Sequence, residues 1–140
     1  MPAQEPDVVV LRCVDLLHFD PAALNEIFAQ KGADEAEEVV CRVLEDIAMR
    51  LDTLQQGRDS GHFDQMFKPA RRIGVIAAQI GLGEVAASAG HVVTCLEQAD
   101  GVALEATLAR LERGFDIAVS EVWNYRALYT ARLWQPPLQR

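Results

Sequence analysis

The sequence predicts an all-α protein, an up-down antiparallel four-helix bundle with a short helix before it and a long last helix. Apolar residues recur at steps of three and four along four long segments, which is the spacing of one helix face. Turns of a few residues, rich in glycine and aspartate, separate these segments. Short loops make successive helices antiparallel neighbours, and this favours an up-down bundle.

Length and composition indicate one soluble globular domain. The chain has 140 residues, of which 50% are hydrophobic and 24% charged, and its mean hydropathy is +0.03. These values are typical of a single folded unit with a real core. We divide the chain into an N-terminal arm (1–19), the bundle (20–134) and a tail (135–140).

The charge and the termini exclude several function classes. A net charge of −8 argues against nucleic-acid partners and against an anionic membrane surface. No apolar run approaches the ~18 residues of a membrane span, and the first residues lack the pattern of a signal peptide. The three cysteines are widely spaced and odd in number, which favours reduced thiols and a cytoplasmic location.

The first two helices have clear start signals. The apolar run at 8–11 has no second strand with which to pair, so we interpret it as an arm lying on the bundle. Asp20 and the following proline predict a helix from Pro21 to Lys31 that stops at Gly32. Asp34, as a cap with Glu37 three residues on, predicts the next helix. Its apolar stripe is Val40, Val43, Leu44, Ile47, Leu51 and Leu54, and Gly57 with the turn at 59–61 ends it.

The third helix lies within residues 62–80, with Pro69 marking either a kink or its true start. Its predicted core positions are Met66, Ala70, Ile73, Ala77 and Ile80. Residues 81–83 form a turn before a fourth helix over 84–98, whose stripe is Val85, Ala89, Val92 and Leu96.

The last helix, over 102–134, is longer than a bundle of this size needs. Its core stripe is Leu104, Leu108, Leu111, Phe115, Ala118 and Val122. Four large aromatic residues extend beyond this stripe: Trp123, Tyr125, Tyr129 and Trp134. This extension predicts either a homodimer seam or a segment that folds back over the bundle.

The third helix has an unusual outer face for an acidic chain. With Ile73, Ala77 and Ile80 inside, the opposite side presents cations beside small apolar residues. The candidate docking residues are Lys68, Arg71, Arg72, Val75, Ala78, Gln79 and Leu82. Such a face docks a partner through an apolar centre with a basic rim, unless another element of the chain covers it.

Common catalytic and metal motifs do not occur in the sequence. There is no phosphate-binding glycine loop, no C-x-x-C pair and no H-x-x-x-H or E-x-x-H pair, so we expect no metal and no cofactor. His91, after Gly90 on the fourth helix, is more simply a helix histidine with a local hydrogen bond than a nucleophile.

The helix pattern resembles bacterial histidine phosphotransfer (HPt) domains, four-helix bundles that relay phosphoryl groups in two-component signalling. The signature helix of that family reads His-x-Leu-Lys-Gly-Ser/Ala-Ser/Ala-x-x-Ile/Leu-Gly. Residues 71–81 of this chain read RRIGVIAAQIG. The segment VLEDIAMRLDTLQQGRD is similar to the family's first bundle helix and the loop after it. The resemblance covers roughly residues 20–120.

Three departures from the signature concern the phosphoacceptor site. Arg71 stands at the position of the phosphoacceptor histidine, Gly74 at that of the lysine and Val75 at that of the glycine. A neutral imidazole has a nitrogen lone pair that attacks an aspartyl phosphate, whereas a guanidinium stays protonated and has none. The resemblance therefore implies a pseudo-phosphotransfer protein, not an enzyme, which binds a receiver domain or a histidine kinase without accepting phosphate.

Two alternatives remain open at this stage. In the first alternative, His91 or another group transfers phosphate in place of Arg71. In the second alternative, the chain is an oligomeric helical module without a signalling role. An unrelated enzyme is a further possibility that no motif favours.

Overall fold

The computed structural model describes residues 19–133, with side chains described as far as Ala127. This part of the chain contains five α-helices, one short 3₁₀-helix and no strand. The elements are α1 (Pro21–Lys31), α2 (Ala33–Ser60), the 3₁₀-helix (Phe63–Gln65), α3 (Phe67–Gln79), α4 (Gly83–Glu97) and α5 (Gly101–Leu133). The all-α prediction is confirmed. The predicted arm, apart from Phe19, and the tail lie outside the described residues.

The start of α1 agrees with its predicted signals. The amide of Ala22 donates to the Asp20 carboxylate at 2.9 Å, so one of the unpaired amides of the first turn has a partner. Gly32 ends α1 with φ of 81°, and its amide donates to the carbonyl of Phe28.

The predicted cap of α2 is wrong. The helix begins at Ala33 after Gly32, so Asp34 lies inside its first turn and supplies charge near the positive helix end instead of a cap. At the other end, Gly57 is helical and the helix continues to Ser60. A Cβ on Gly57 would lie 2.7 Å from Cγ of Met66, so this glycine lets the following loop fold back closely onto α2.

Pro69 lies close to the start of α3, which is one of the two roles predicted for it. The helix begins at Phe67, so Pro69 lies in the first turn, where its missing N–H removes no intrahelical hydrogen bond.

The predicted apolar stripes form the core. Every predicted core position of α3, α4 and α5 is buried, and on α2 only Val43 is half-buried. Residues with almost no exposure come from all of these helices: Ile47, Leu54, Ile73, Val85, Val92, Leu108 and Leu111. Burial of these side chains is the main force that holds the helices together.

Side-chain bonds show that α2 and α5 run antiparallel. Gln55 donates to Glu112 at 2.7 Å, and the Nε of Arg126 lies 2.7 Å from the carboxylate of Glu37. The end of α2 therefore lies beside the first half of α5, and the start of α2 lies beside the last part of α5. α3 packs between α2 and α4, and α4 packs between α3 and α5.

The C-terminal part of α5 is covered by the first elements of the described chain. The ring of Tyr125 meets Phe19 edge-on at 5.5 Å and Phe28 at 6.5 Å between centroids. Trp123 also packs against the core. These two aromatic residues thus pack within their own chain, whereas the side chains of Tyr129 and Trp134 lie outside the described part.

The turn between α3 and α4 is tied to the start of α1. The amide of Asp20 donates to the carbonyl of Gly81 at 2.7 Å. Gly81 has φ of 80°, and a Cβ there would lie 2.8 Å from the carbonyl oxygen of Asp20. Only glycine fits this position without strain.

Candidate functional site

The outer side of α3 exposes three cationic side chains. Lys68, Arg71 and Arg72 are all exposed, while Ile73 and Ala77 on the opposite side are completely buried. This division follows the helical period, since α3 contributes its inner face to the core between α2 and α4. The predicted outward direction of Arg71 is confirmed.

Arg71 lies over an aromatic ring of its own helix. Its guanidinium carbon is 5.2 Å from the centroid of the Phe67 ring, a cation–π geometry. Phe67 is half-buried and packs against the core. The ring thus supports one side of the guanidinium, while Arg71 as a whole is exposed.

The cations of α3 have no acidic partner within the described residues. The cations that do form ion pairs there are Lys31, Arg50, Arg58 and Arg126. Between residues 19 and 127, neither an ion pair nor a hydrogen bond joins the side chain of Lys68, Arg71 or Arg72 to another group. In a chain of net charge −8, these charges remain available to an external anion.

Small and apolar side chains lie beside the cations. Val75 is 52% exposed, and Ala78 and Gln79 are exposed as well. Together with the cations they form a surface that we call the α3 face: Lys68, Arg71, Arg72, Val75, Ala78 and Gln79. This surface is open in the described structure, so no described element covers it.

Leu82 does not belong to the α3 face, which corrects the prediction. Its side chain is completely buried, although the helical period of α3 would place it outside. The helix ends at Gln79, and the amide of Leu82 donates back to the carbonyl of Ala77 at 2.9 Å. The left-handed Gly81 reverses the chain here, and Leu82 therefore points into the core.

Gly74 lies against α4 at the edge of the α3 face. It is half-buried, and a Cβ there would lie 3.8 Å from the carbonyl oxygen of Ala86 and 4.0 Å from the Cβ of Ala89. Gly74 is therefore a helix-packing position in this chain.

His91 lies on the other flank of α4. Ser88 and His91 line a groove toward α5, whereas Ala86 and Ala89 face Gly74 of α3. The structure therefore does not bring His91 to Arg71. His91 is exposed, and no hydrogen bond to it occurs within the described residues, so the local bond expected for it is not formed there.

The groove between α4 and α5 was not predicted. Its volume is about 410 Å³, and two exposed arginines of α5, Arg110 and Arg113, line it opposite His91. Their spacing of three residues places them on one side of a helix. This spacing is visible in the sequence, but it is common on solvent-facing helices and so does not indicate a groove.

Cys41 is the one half-buried thiol among the described cysteines, the other being buried Cys95. Burial, and then the carboxylates of Glu37 and Glu45, raise the pKa of the Cys41 thiol above its ordinary value. Since the thiolate is the reactive form, this environment opposes a nucleophilic role for Cys41.

Two further features are absent from the described residues. Residues 19–133 contain no group of three or more His, Cys, Asp and Glu side chains able to hold a metal ion. No helix in that range is both long enough and apolar enough to cross a membrane.

Comparisons with protein-family models, with curated proteins and with solved structures found no significant match to this chain.

Proposed function

We propose that this chain is an HPt-like protein of two-component signalling that binds a receiver domain or a histidine kinase through the α3 face and does not accept phosphate. In this proposal α2 to α5 form the four-helix bundle, and α1 is an additional helix across one end. The observation that carries the proposal is the exposure of Arg71 at the position that the resemblance gives to the phosphoacceptor histidine. Arg71 lies among cations that have no acidic partner within the described part of the chain.

The chemistry of Arg71 favours binding over transfer. A guanidinium is protonated at every physiological pH and has no lone pair with which to attack phosphorus. It does have a planar set of N–H donors that pairs with carboxylates in a bidentate manner. Arg71 therefore suits recognition of an acidic pocket, such as the one around the phosphorylatable aspartate of a receiver domain.

The surroundings of Arg71 suit the same partner. Lys68 and Arg72 lie on its helix and add positive charge, which raises association rates with an acidic surface at low salt. Val75, one turn after Arg71, supplies an exposed apolar contact of the kind found in interface centres.

The test is a binding series with purified receiver domains and histidine kinases at low and high salt. We expect at least one receiver to bind, and Arg71→Glu to weaken that binding about tenfold or more because a charge pair becomes a repulsion. Arg42→Glu is the matched control, since Arg42 is an exposed arginine on α2 with no ion pair among the described residues. If no receiver or kinase binds, or if both variants behave alike, the proposal is wrong.

A second candidate is active transfer through His91. It is favoured by one observation, the exposure of His91 in a groove that also holds Arg110 and Arg113. In this reaction the imidazole nitrogen forms a P–N bond, the P–O bond of the aspartyl phosphate breaks and the receiver carboxylate leaves. Incubation with a labelled phospho-receiver distinguishes the candidates, because label on this chain is incompatible with the pseudo-phosphotransfer proposal.

The oligomeric-module alternative has less support. Trp123 and Tyr125 pack against their own chain, so they do not form an open seam. A homodimer through the last part of α5 remains a prediction, and light scattering of the wild type and of Trp134→Asp tests it.

A further inference from the structure

A second pair of cations, Arg110 and Arg113, lines the groove between α4 and α5. Arg110 and Arg113 are exposed and form no ion pair or hydrogen bond within the described residues. His91 lines the same groove from α4. These groups are on the opposite flank of α4 from α3, so the α3 face and its proposed partner do not account for them.

The register of the two helices places these donors within two successive turns. Cys95 Sγ and Thr107 Oγ1 are 3.5 Å apart, which places the two residues opposite each other across an antiparallel pair. One turn away from that contact, His91 on α4 comes level with Arg110 on α5. A further turn along, Ser88 comes level with Gly114, the residue after Arg113.

The inner surface of the groove consists of small residues. Ala87 and Gly114 line it, and a Cβ on Gly114 would meet no atom within 4 Å. Ser88 is only 9% exposed, lines the groove and makes no hydrogen bond with another described residue. The volume of about 410 Å³ accommodates a small molecule.

We propose that this groove binds a small phosphate monoester. Two guanidinium groups, an imidazole and a hydroxyl offer donors from two helices, and the terminal oxygens of a tetrahedral phosphate accept bonds from both sides. A planar carboxylate has only two oxygens and satisfies fewer of these donors.

The ends of the groove suggest how the ester lies. Ile117 is 41% exposed and lines the same end as Glu84. An apolar organic group of the ester contacts Ile117. The ligand class is therefore a monoester with an apolar or aromatic substituent.

The experiment is an NMR titration of the full-length ¹⁵N-labelled chain with phenyl phosphate. We expect saturable shifts of amides in 87–91 and 110–117, weaker binding of inorganic phosphate and weaker binding still of phenylacetate. Arg110→Gln combined with Arg113→Gln should weaken binding of phenyl phosphate about tenfold or more, because charge-assisted hydrogen bonds are lost.

The matched control is Arg71→Gln combined with Arg72→Gln, which removes the same charge from the α3 face. This control should bind phenyl phosphate as the wild type does, so the groove and the receiver-binding proposal are tested separately. Gly114→Leu fills the groove from an open position and should abolish binding while both arginines remain.

Three results would overturn the proposal: no saturable shift up to the solubility of phenyl phosphate, equal binding of phenylacetate, or unchanged binding by the Arg110 and Arg113 double variant.

Discussion

The guanidinium carbon of Arg71 lies 5.2 Å from the centroid of the Phe67 ring, one turn earlier on α3. The ring restricts the positions of an exposed side chain that otherwise has many rotamers. Phe67 itself is held by its contact with the core. Arg71 is therefore partly ordered before any partner binds, which lowers the entropy lost on binding.

The first prediction concerns Phe67→Leu in the proposed receiver complex. This change keeps an apolar side chain but removes the ring, so binding should weaken by about two- to fivefold, the equivalent of a cation–π contact of about 0.5–1 kcal/mol. Isothermal titration calorimetry measures it. In an Arg71→Gln background, which has no cation to lose, Phe67→Leu should have no further effect on affinity. An equal effect in both backgrounds would mean that Phe67 acts on its own.

The second prediction contrasts an exposed apolar residue of α3, Val75, with a buried one in the turn after it, Leu82. Leu82→Ala should lower the free energy of unfolding by about 2–5 kcal/mol, because it leaves a cavity in the core. Val75→Ala should change it by less than about 0.5 kcal/mol, because Val75 is exposed. Urea unfolding followed by circular dichroism gives both values. Similar losses for the two variants would show that Val75 is covered in solution.

The third prediction uses two glycines with opposite surroundings. Gly81→Ala should destabilise the fold by at least about 1–2 kcal/mol, since a left-handed backbone and the Asp20 carbonyl both oppose a Cβ. Gly90→Ala should stabilise it by about 0.5–1 kcal/mol, because Gly90 is helical and a Cβ there meets no atom within 4 Å. Thermal unfolding checks the signs. A stabilising Gly81→Ala would contradict the observed turn.

The fourth prediction concerns the reaction of Cys41 with iodoacetamide. Because burial and nearby carboxylates raise the pKa of this thiol, the midpoint of its rate against pH should lie above that of an exposed thiol. Glu45→Gln removes one of the carboxylates and should move the midpoint down. Peptide mass spectrometry assigns the label to Cys41. The control is Asp64→Asn, which also removes one exposed carboxylate but in the 3₁₀-helix, and it should leave the midpoint unchanged.

The raised pKa of the Cys41 thiol also makes the stability of the fold depend on pH. A thiol whose pKa is higher in the folded state stays protonated there while the unfolded chain already ionises. Its contribution to stability is therefore complete below the ordinary thiol pKa and is lost as pH rises through the folded value. Cys41→Ser should remove this loss of stability at alkaline pH. If the variant loses as much stability as the wild type, other groups cause the loss.

The helices and their inner faces were predictable because both depend on residues that are close together in the sequence. A helix start such as Asp20-Pro21 and a stripe such as that of α5 involve residues a few positions apart, and the helical period then decides which of them share a side. The exposure of Arg71 follows from the same period, since Ile73 and Ala77 occupy the opposite side.

Other features depended on residues far apart in the chain. The burial of Leu82 follows from the reversal at Gly81, and the contact of Gly57 with Met66 follows from the path of the loop after α2. Tyr125 meets Phe19 and Phe28 only because α1 packs across the end of α5.

The sequence by itself determined the all-helical class, the core stripes and the outward direction of Arg71, because local periodicity decides which side of a helix is apolar. Only the tertiary structure decided that Leu82 is buried and that His91 lines a groove with Arg110 and Arg113, away from the α3 face. These relationships depend on the order and register in which helices pack, and no local pattern specifies which flank of one helix meets another.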